Sequence, residues 1–219
     1  FISVLDNEKV GIFCAYDKDY SDFKAKIWQE NLFKHLGFEK IKKCVFMNQI
    51  HSNRVEIYDA NFRNFSCDGL ITKEKNIALC VLSADCLPLI LYHKKGFIAA
   101  LHSGREGTFN NILKEALDLF KNLDFSLKNE DFTLFILPSI CQKNYKLSGT
   151  ILDCTQKHFA PFLKDDKLDL KALVKEQARN LGLKNINDLE ICSFEEKNLF
   201  SYRRNQTKKR FVSVIFLKE

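Results

Sequence analysis

The sequence holds a single tryptophan and a single methionine, against twenty phenylalanines. Any core it builds is therefore rich in phenylalanine. No apolar run approaches the ~20 residues that a membrane-spanning helix needs, so no membrane segment is expected. Residues 1–5 are apolar, but they lack a basic leader and are too short for the apolar stretch of a signal peptide. No CxxC pair occurs among the eight cysteines. Cys14, Cys44, Cys80 and Cys192 sit in apolar, strand-like runs. They read as reduced, packed thiols of a cytoplasmic protein rather than a disulfide framework. Internal repeats, low-complexity tracts and linkers are missing too. No basic cluster is dense enough for a nucleic-acid surface. The Lys208-Lys209-Arg210 trio reads as a solvated turn.

What is present fits one globular domain over residues 1–219. Hydrophobic residues make up 46% and charged residues 28%, with a modest net charge of +6. A chain of this size can bury a substantial core. Apolar runs at 10–15, 44–47, 77–82, 87–92, 97–101, 132–137, 189–194 and 211–217 read as strands. Residues 55–58 read as a hairpin partner of 44–47. Helical spacing marks 26–36 (Trp28, Leu32, Phe33, Leu36), 110–120 and 170–181. A shorter helix is expected around 154–159. Strands and helices alternate irregularly, which predicts a mixed α/β (α+β) fold with one composite sheet system.

The run Val81-Leu82-Ser83-Ala84-Asp85-Cys86-Leu87-Pro88-Leu89 breaks the pattern. A carboxylate and a thiol interrupt an apolar stretch, and burying the carboxylate costs several kcal/mol unless it is paired. Pro88 holds the residue before it extended. The run therefore reads as strand, tight polar turn, strand, with chemistry expected at the turn. Two histidine segments flank it, Gln49-Ile50-His51 and His102-Ser103-Gly104. His51, Cys86 and His102 each end a strand-like run. Two imidazoles and one thiolate make a three-ligand zinc set with an open position, although the spacing is not that of a zinc finger. His35, His93 and His158 read as ordinary surface residues.

Together these segments resemble the YfiH-like family. Its members, also labelled laccase-like or multicopper polyphenol oxidases, are described as purine nucleoside phosphorylases with an adenosine deaminase side activity. The resemblance rests on Gln49-Ile50-His51, Asp68-Gly69-Leu70, Ala84-Asp85-Cys86-Leu87-Pro88, His102-Ser103-Gly104 and Ser201-Tyr202-Arg203-Arg204, in that order. It implies a layered sandwich of mixed β-sheets flanked by helices. It also implies zinc held by His51, Cys86 and His102. The expected partners are a nucleoside and phosphate, with no nucleic acid and no membrane.

Within that reading Gln49, Arg203 and Arg204 are candidate substrate contacts, and Asp85 and Cys86 are candidate catalytic residues. For Asp85, stabilising a buried turn or backing a ligand histidine competes with catalysis. For Arg203 and Arg204, pairing with Glu195 or Glu196 competes with phosphate binding. The family usually carries His-Ala-Gly-Trp-Arg-Gly where this chain has His102-Ser103-Gly104-Arg105-Glu106-Gly107. A local Arg105–Glu106 ion pair is expected there. A Cys86-dependent hydrolase acting on a cell-wall precursor, and a metal-binding module with little activity, are the competing functions. Copper is the weaker choice of metal, because five histidines are too few for a multicopper centre. The oligomeric state is not legible.

Overall fold

Period-two and continuous apolar runs become strands, and two of the helical patterns become helices that cover one sheet. A computed structural model describes residues 1–16, 34, 40–62 and 64–219. The expected helix at 26–36 lies outside the described residues, apart from position 34, and so does His35. In chain order the strands begin with β1 (Ile2–Asp6), β2 (Val10–Ala15), β3 (Lys43–Phe46) and β4 (Val55–Ile57). They continue with β5 (Gly69–Thr72), β6 (Ile77–Ser83), β7 (Leu87–His93) and β8 (Phe97–Ser103). Helices α1 (Arg105–Phe109) and α2 (Ile112–Leu123) follow, then β9 (Phe132–Ile136) and α3 (Gly149–Phe159). A two-residue hairpin, β10 (Leu163–Lys164) and β11 (Lys167–Leu168), leads to α4 (Leu170–Asn180) and β12 (Asn185–Asp188). The chain closes with one helical turn, α5 (Tyr202–Asn205), and β13 (Phe211–Leu217).

Apart from the β10–β11 hairpin, the strands form two mixed sheets, ordered β1-β2-β13-β6-β3 and β12-β9-β7-β8-β5-β4. Along β7 the side chains alternate as the pleat requires. Leu87, Leu89 and Leu91 face the helices, while Ile90 faces the other sheet. Between the sheets lies a core that includes Ile12, Leu79, Val81 and Ile215 from one and Leu70, Ile98 and Ala100 from the other. The outer face of the six-stranded sheet packs against α2 and α4. Asn111 caps α2 by accepting from the Lys114 N–H. That helix buries Ile112, Leu113, Ala116, Leu117 and Phe120. Truncating Phe120 to alanine there would cost about 3–5 kcal/mol. The architecture is the mixed α+β layered sandwich expected.

Four local expectations change. Strand β4 is not a hairpin partner of β3; it pairs in parallel with β5, in the other sheet. Residues 189–194 are not a strand, because the pairing with β9 is made earlier, by β12. Only an isolated bridge, Ser139 to Cys192, follows it. The helix expected around 154–159 begins at Gly149. His93 is fully buried, edge-on to the Phe132 ring at 4.6 Å. It stands on the helix-facing side of β7, where its neighbours are aromatic.

The topology also explains the central turn. Strand β6 belongs to one sheet and β7 to the other. Ala84, Asp85 and Cys86 therefore carry the chain from sheet to sheet, at the seam where the strand ends gather. Asp85 takes φ 107°, a region that costs a non-glycine residue about 1–3 kcal/mol. Three hydrogen bonds hold it there. Its carboxylate accepts from Ser193 Oγ at 2.8 Å and from the Arg203 N–H at 2.7 Å. Its carbonyl accepts from the Ile140 N–H at 2.9 Å.

Candidate metal centre and its cavity

His51, Cys86 and His102 come together at the seam. Their ligand atoms all lie within 4.8 Å of one another. The two imidazoles meet edge-on with centroids 4.9 Å apart. His102 comes from the last turn of pleat in β8. Cys86 follows the Asp85 turn, and His51 lies in the loop after β3.

Sequence reasoning undervalued the residue that ties these together. Asp68, quoted only as part of a motif, is fully buried. Its register beside β8 puts its carbonyl 2.6 Å from the His102 N–H. Its Oδ1 lies 2.8 Å from His102 Nδ1 and accepts the His51 N–H at 3.0 Å. Its Oδ2 accepts from the N–H groups of Ile50 and Ser52 and from Ser52 Oγ. One carboxylate thus shapes the His51 loop, where His51 itself has φ 60°, and orients the His102 ring. With Nδ1 engaged by Asp68, Nε2 is the nitrogen of His102 left for a metal.

The glycine motif has a steric cause. A Cβ on Gly104 would sit 3.2 Å from Cys86 Sγ and 3.4 Å from His51 Cδ2. A Cβ on Gly107 would sit 2.8 Å from the Ser52 carbonyl oxygen. Helix α1, absent from the sequence expectation, can press against the ligand loop only because these positions lack side chains.

Electrostatics prepares the donors. Burial pushes the Cys86 thiol up, but hydrogen bonds and charge from His102 and His51 outweigh it and bring it to about 6. Burial pulls His102 down, but Asp68 and Cys86 outweigh that and raise it to about 9. Burial opposes the charge on Asp68 too, yet His102 and Ser52 hold its carboxyl below the usual value. A thiolate between two imidazoles is a fitting donor set for a borderline-soft divalent ion. Such a site would keep one net positive charge.

The cluster opens into a cavity of about 520 Å³. Its wall carries Gln49, Asp85, Arg105, Tyr145, Arg203 and Arg210. Asp85 is the only carboxylate among the described lining residues, against three arginines. Gln49 is spent on structure, exchanging two 2.8 Å hydrogen bonds with the Leu82 backbone. The Arg203 guanidinium lies over the Tyr145 ring, 4.6 Å from its centroid, and donates to the Lys146 carbonyl. Arg204 is not on the cavity wall. It donates to the carbonyls of Ser193, Phe194, Glu196 and Leu199. Neither arginine pairs with Glu195, which binds Lys143 instead. Arg105 and Glu106 do form the expected pair, at 2.7 Å. Tyr145 carried no signal in the sequence; Arg210, which reads there as part of a solvated basic turn, lines the cavity.

No helix among the described residues is long and apolar enough to cross a membrane. The sequence model of the family described as "multi-copper polyphenol oxidoreductase laccase" matches residues 21–218. A Campylobacter jejuni protein named purine nucleoside phosphorylase is 65% identical over 219 residues, covering 100% of this chain and 97% of its own. A Clostridium acetobutylicum protein of the same name is 32% identical over 172 residues, covering 75% of this chain and 72% of its own. In fold the chain is similar to the Bacillus licheniformis hypothetical protein YfiH, with a TM-score of 0.81, 19% identity and 99% of both chains covered. With that match along most of its length, the chain belongs to the multi-copper polyphenol oxidoreductase laccase family, the YfiH-like proteins.

Proposed function

We propose that the chain is a zinc-dependent purine nucleoside phosphorylase. It would split adenosine or inosine with phosphate into the free base and ribose 1-phosphate, with adenosine deamination as a side activity. The observation that carries the reading is a His51, Cys86 and His102 donor set facing a cavity with three arginines and one carboxylate. The name of the 65% identical relative supports the reaction.

Zinc held by His51, Cys86 and His102 would supply Lewis acidity and a residual positive charge for an anionic ligand. The remaining roles fall to the chain. Arg203, braced by Tyr145 and the Lys146 carbonyl, offers a planar cation suited to phosphate. Asp85 is the group on the cavity wall able to carry a proton to or from the purine, and it fixes the backbone of Arg203 at the same time. Cys86 serves as a ligand thiolate rather than a nucleophile. Arg204 acts at a distance, holding the loop on which Ser193 stands.

One feature favours a second reading. A lowered Cys86 thiol beside a raised His102 is also what a cysteine hydrolase needs. Phosphate dependence separates the two. Protein purified without added metal should contain about one zinc per chain, as a single three-ligand site requires. With inosine it should give ribose 1-phosphate only when phosphate is present, and with adenosine some inosine should form. Free ribose, or a rate indifferent to phosphate, would overturn the reading in favour of the hydrolase.

A further inference from the structure

A second group of thiols lies away from the cavity floor. Cys141 Sγ and Cys192 Sγ are 2.6 Å apart, well inside the contact distance of two non-bonded sulfurs. Their backbones are already joined. The Ser139 N–H donates to the Ile191 carbonyl and the Ser193 N–H to the Ser139 carbonyl, at 3.2 and 3.0 Å. The Cys141 N–H points at Cys192 Sγ, 3.2 Å away. A bond between the sulfurs would join segments that hydrogen bonds hold in register.

We propose that Cys141 and Cys192 are a redox-modification site, which a peroxide converts to an intramolecular disulfide. A shallow cavity of about 430 Å³, enough for a small peroxide, is lined by both cysteines. Cys192 is the attacking sulfur. Burial pushes its thiol up, but hydrogen bonds from Cys141, Asn144 and the Phe194 N–H outweigh this and lower it. Burial and the neighbouring sulfur raise Cys141, which suits the resolving role. The Cys192 thiolate attacks one peroxide oxygen and breaks the O–O bond. With one proton taken up, this leaves a sulfenic acid and one water. Cys141 then attacks the sulfenic sulfur, gives up its proton and releases the second water. Two thiols lose two electrons and two protons, and the peroxide gains them.

A metal is the lesser fit to the same residues. Glu195 completes a possible three-ligand group, but Lys143 and Asn144 already hold its carboxylate. Two thiolates on one tetrahedral zinc sit about 3.8 Å apart, farther than these sulfurs stand. Three deeply buried thiols do not compete. Burial, with the nearby Cys44, pushes Cys80 far up, and burial pushes Cys14 and Cys67 up to about 12.

The product would brace the cavity wall. Ile140, beside Cys141, donates its N–H to the Asp85 carbonyl, and Ser193, beside Cys192, donates its hydroxyl to the Asp85 carboxylate. The disulfide would therefore close a loop around the two segments that hold Asp85.

The test is brief exposure of the full chain, in its zinc-supplemented form, to hydrogen peroxide. Free thiols are then alkylated and peptides mapped by mass. The expected result is a linked Cys141–Cys192 peptide pair lighter by two hydrogens and restored by dithiothreitol. In calorimetry the oxidised protein should melt roughly 5–10 °C higher, as disulfides in domains of this size do. Cys141→Ser and Cys192→Ser should each lose both signals. The wild-type map decides alone if a variant fails to fold. Recovery of both cysteines alkylated or as separate sulfinic acids would overturn the proposal. So would a second equivalent of zinc that disappears in Cys192→Ser.

Discussion

Two clusters among the described residues combine sulfur with carboxylate, and they are built for different chemistry. At the seam, Cys86 faces two imidazoles, and the carboxylate of Asp68 stands behind one of them, bonded to Nδ1. In the second cluster Cys141 faces Cys192, and the carboxylate of Glu195 is taken by Lys143 and Asn144. The first arrangement keeps donor atoms apart and aims them at one point, which suits a cation. The second presses two sulfurs together with no imidazole between them. Thiol content alone does not set the role of a site. The groups behind the thiol do, by fixing its charge and the direction of its lone pairs.

The largest expected contrast is in thiol titration. In chelated protein, pulsed alkylation of Cys86 should follow a midpoint near 6, whereas Cys14 and Cys67 lie near 12. A lowered thiol is a thiolate above its midpoint and loses reactivity as pH falls through it. At pH 8 the thiolate fractions should then differ by about four orders of magnitude. Peptide mapping reads each rate, and zinc should protect Cys86. A Cys86 midpoint at the ordinary value of about 8.5 would remove the imidazole effect on which the comparison rests.

Ligand substitution comes next. Cys86→Ser and His102→Ala should each strip the zinc and cut phosphorolysis by more than about 100-fold, beyond the effect typical of an outer partner. Cys141→Ser should leave the zinc content at about one per chain, the stoichiometry of a single site. Full zinc in His102→Ala, read by elemental analysis, would mean the metal sits elsewhere.

Asp68→Asn tests the group behind the ligand. The amide keeps the volume but turns one acceptor into a donor, facing either the His51 N–H or the N–H groups of Ile50 and Ser52. Zinc affinity should fall about 10- to 100-fold, measured by competition with a chromophoric chelator, while circular dichroism stays near wild type. An unchanged affinity would show that His102 is oriented by packing alone.

How far these clusters were legible in the sequence follows from what each residue's neighbours are. His51, Cys86 and His102 end apolar runs, and strand ends gather at a sheet seam, so their meeting could be argued from pattern. Asp68 could not be ranked, because its importance lies in register: β5 pairs with β8, with Gly69 opposite Leu101. Strand β4 was misplaced for a related reason. A short apolar run after a turn looks like a hairpin, and nothing local says that its partner is parallel and in another sheet. His93 follows a strand and precedes two lysines, which suggests a surface. The alternation of β7 nevertheless turns it inward beside Phe132. The pairing of Cys141 with Cys192 was hidden by a separation of 51 residues and by reading 189–194 as a strand.

The smallest effect concerns the exposed ion pair beside each cluster. Arg105 Nε and Nη2 both donate to Glu106 Oε1, at 3.0 and 2.7 Å. Lys143 meets Glu195 at 2.5 Å. Glu106 and Glu195 are 51% and 43% exposed, so solvent screens both pairs, and each contributes at most about 1 kcal/mol to stability. Their positions differ in a way that activity can read. Arg105 also lines the cavity, next to Gly104, where a Cβ would crowd Cys86 Sγ. Glu106 therefore occupies a cation that phosphate would otherwise meet, and adds a negative charge close to the anion's path. Glu106→Gln should free Arg105 and lower the KM for phosphate a few-fold, with kcat and zinc content unchanged. Glu195→Gln should leave that KM alone while shifting stability by as little. Steady-state rates at varied phosphate and fixed inosine give both numbers. A higher KM, or a kcat lost along with it, would mean that Glu106 holds Arg105 in the orientation the anion needs, and that the departure from Trp-Arg serves this chain's site.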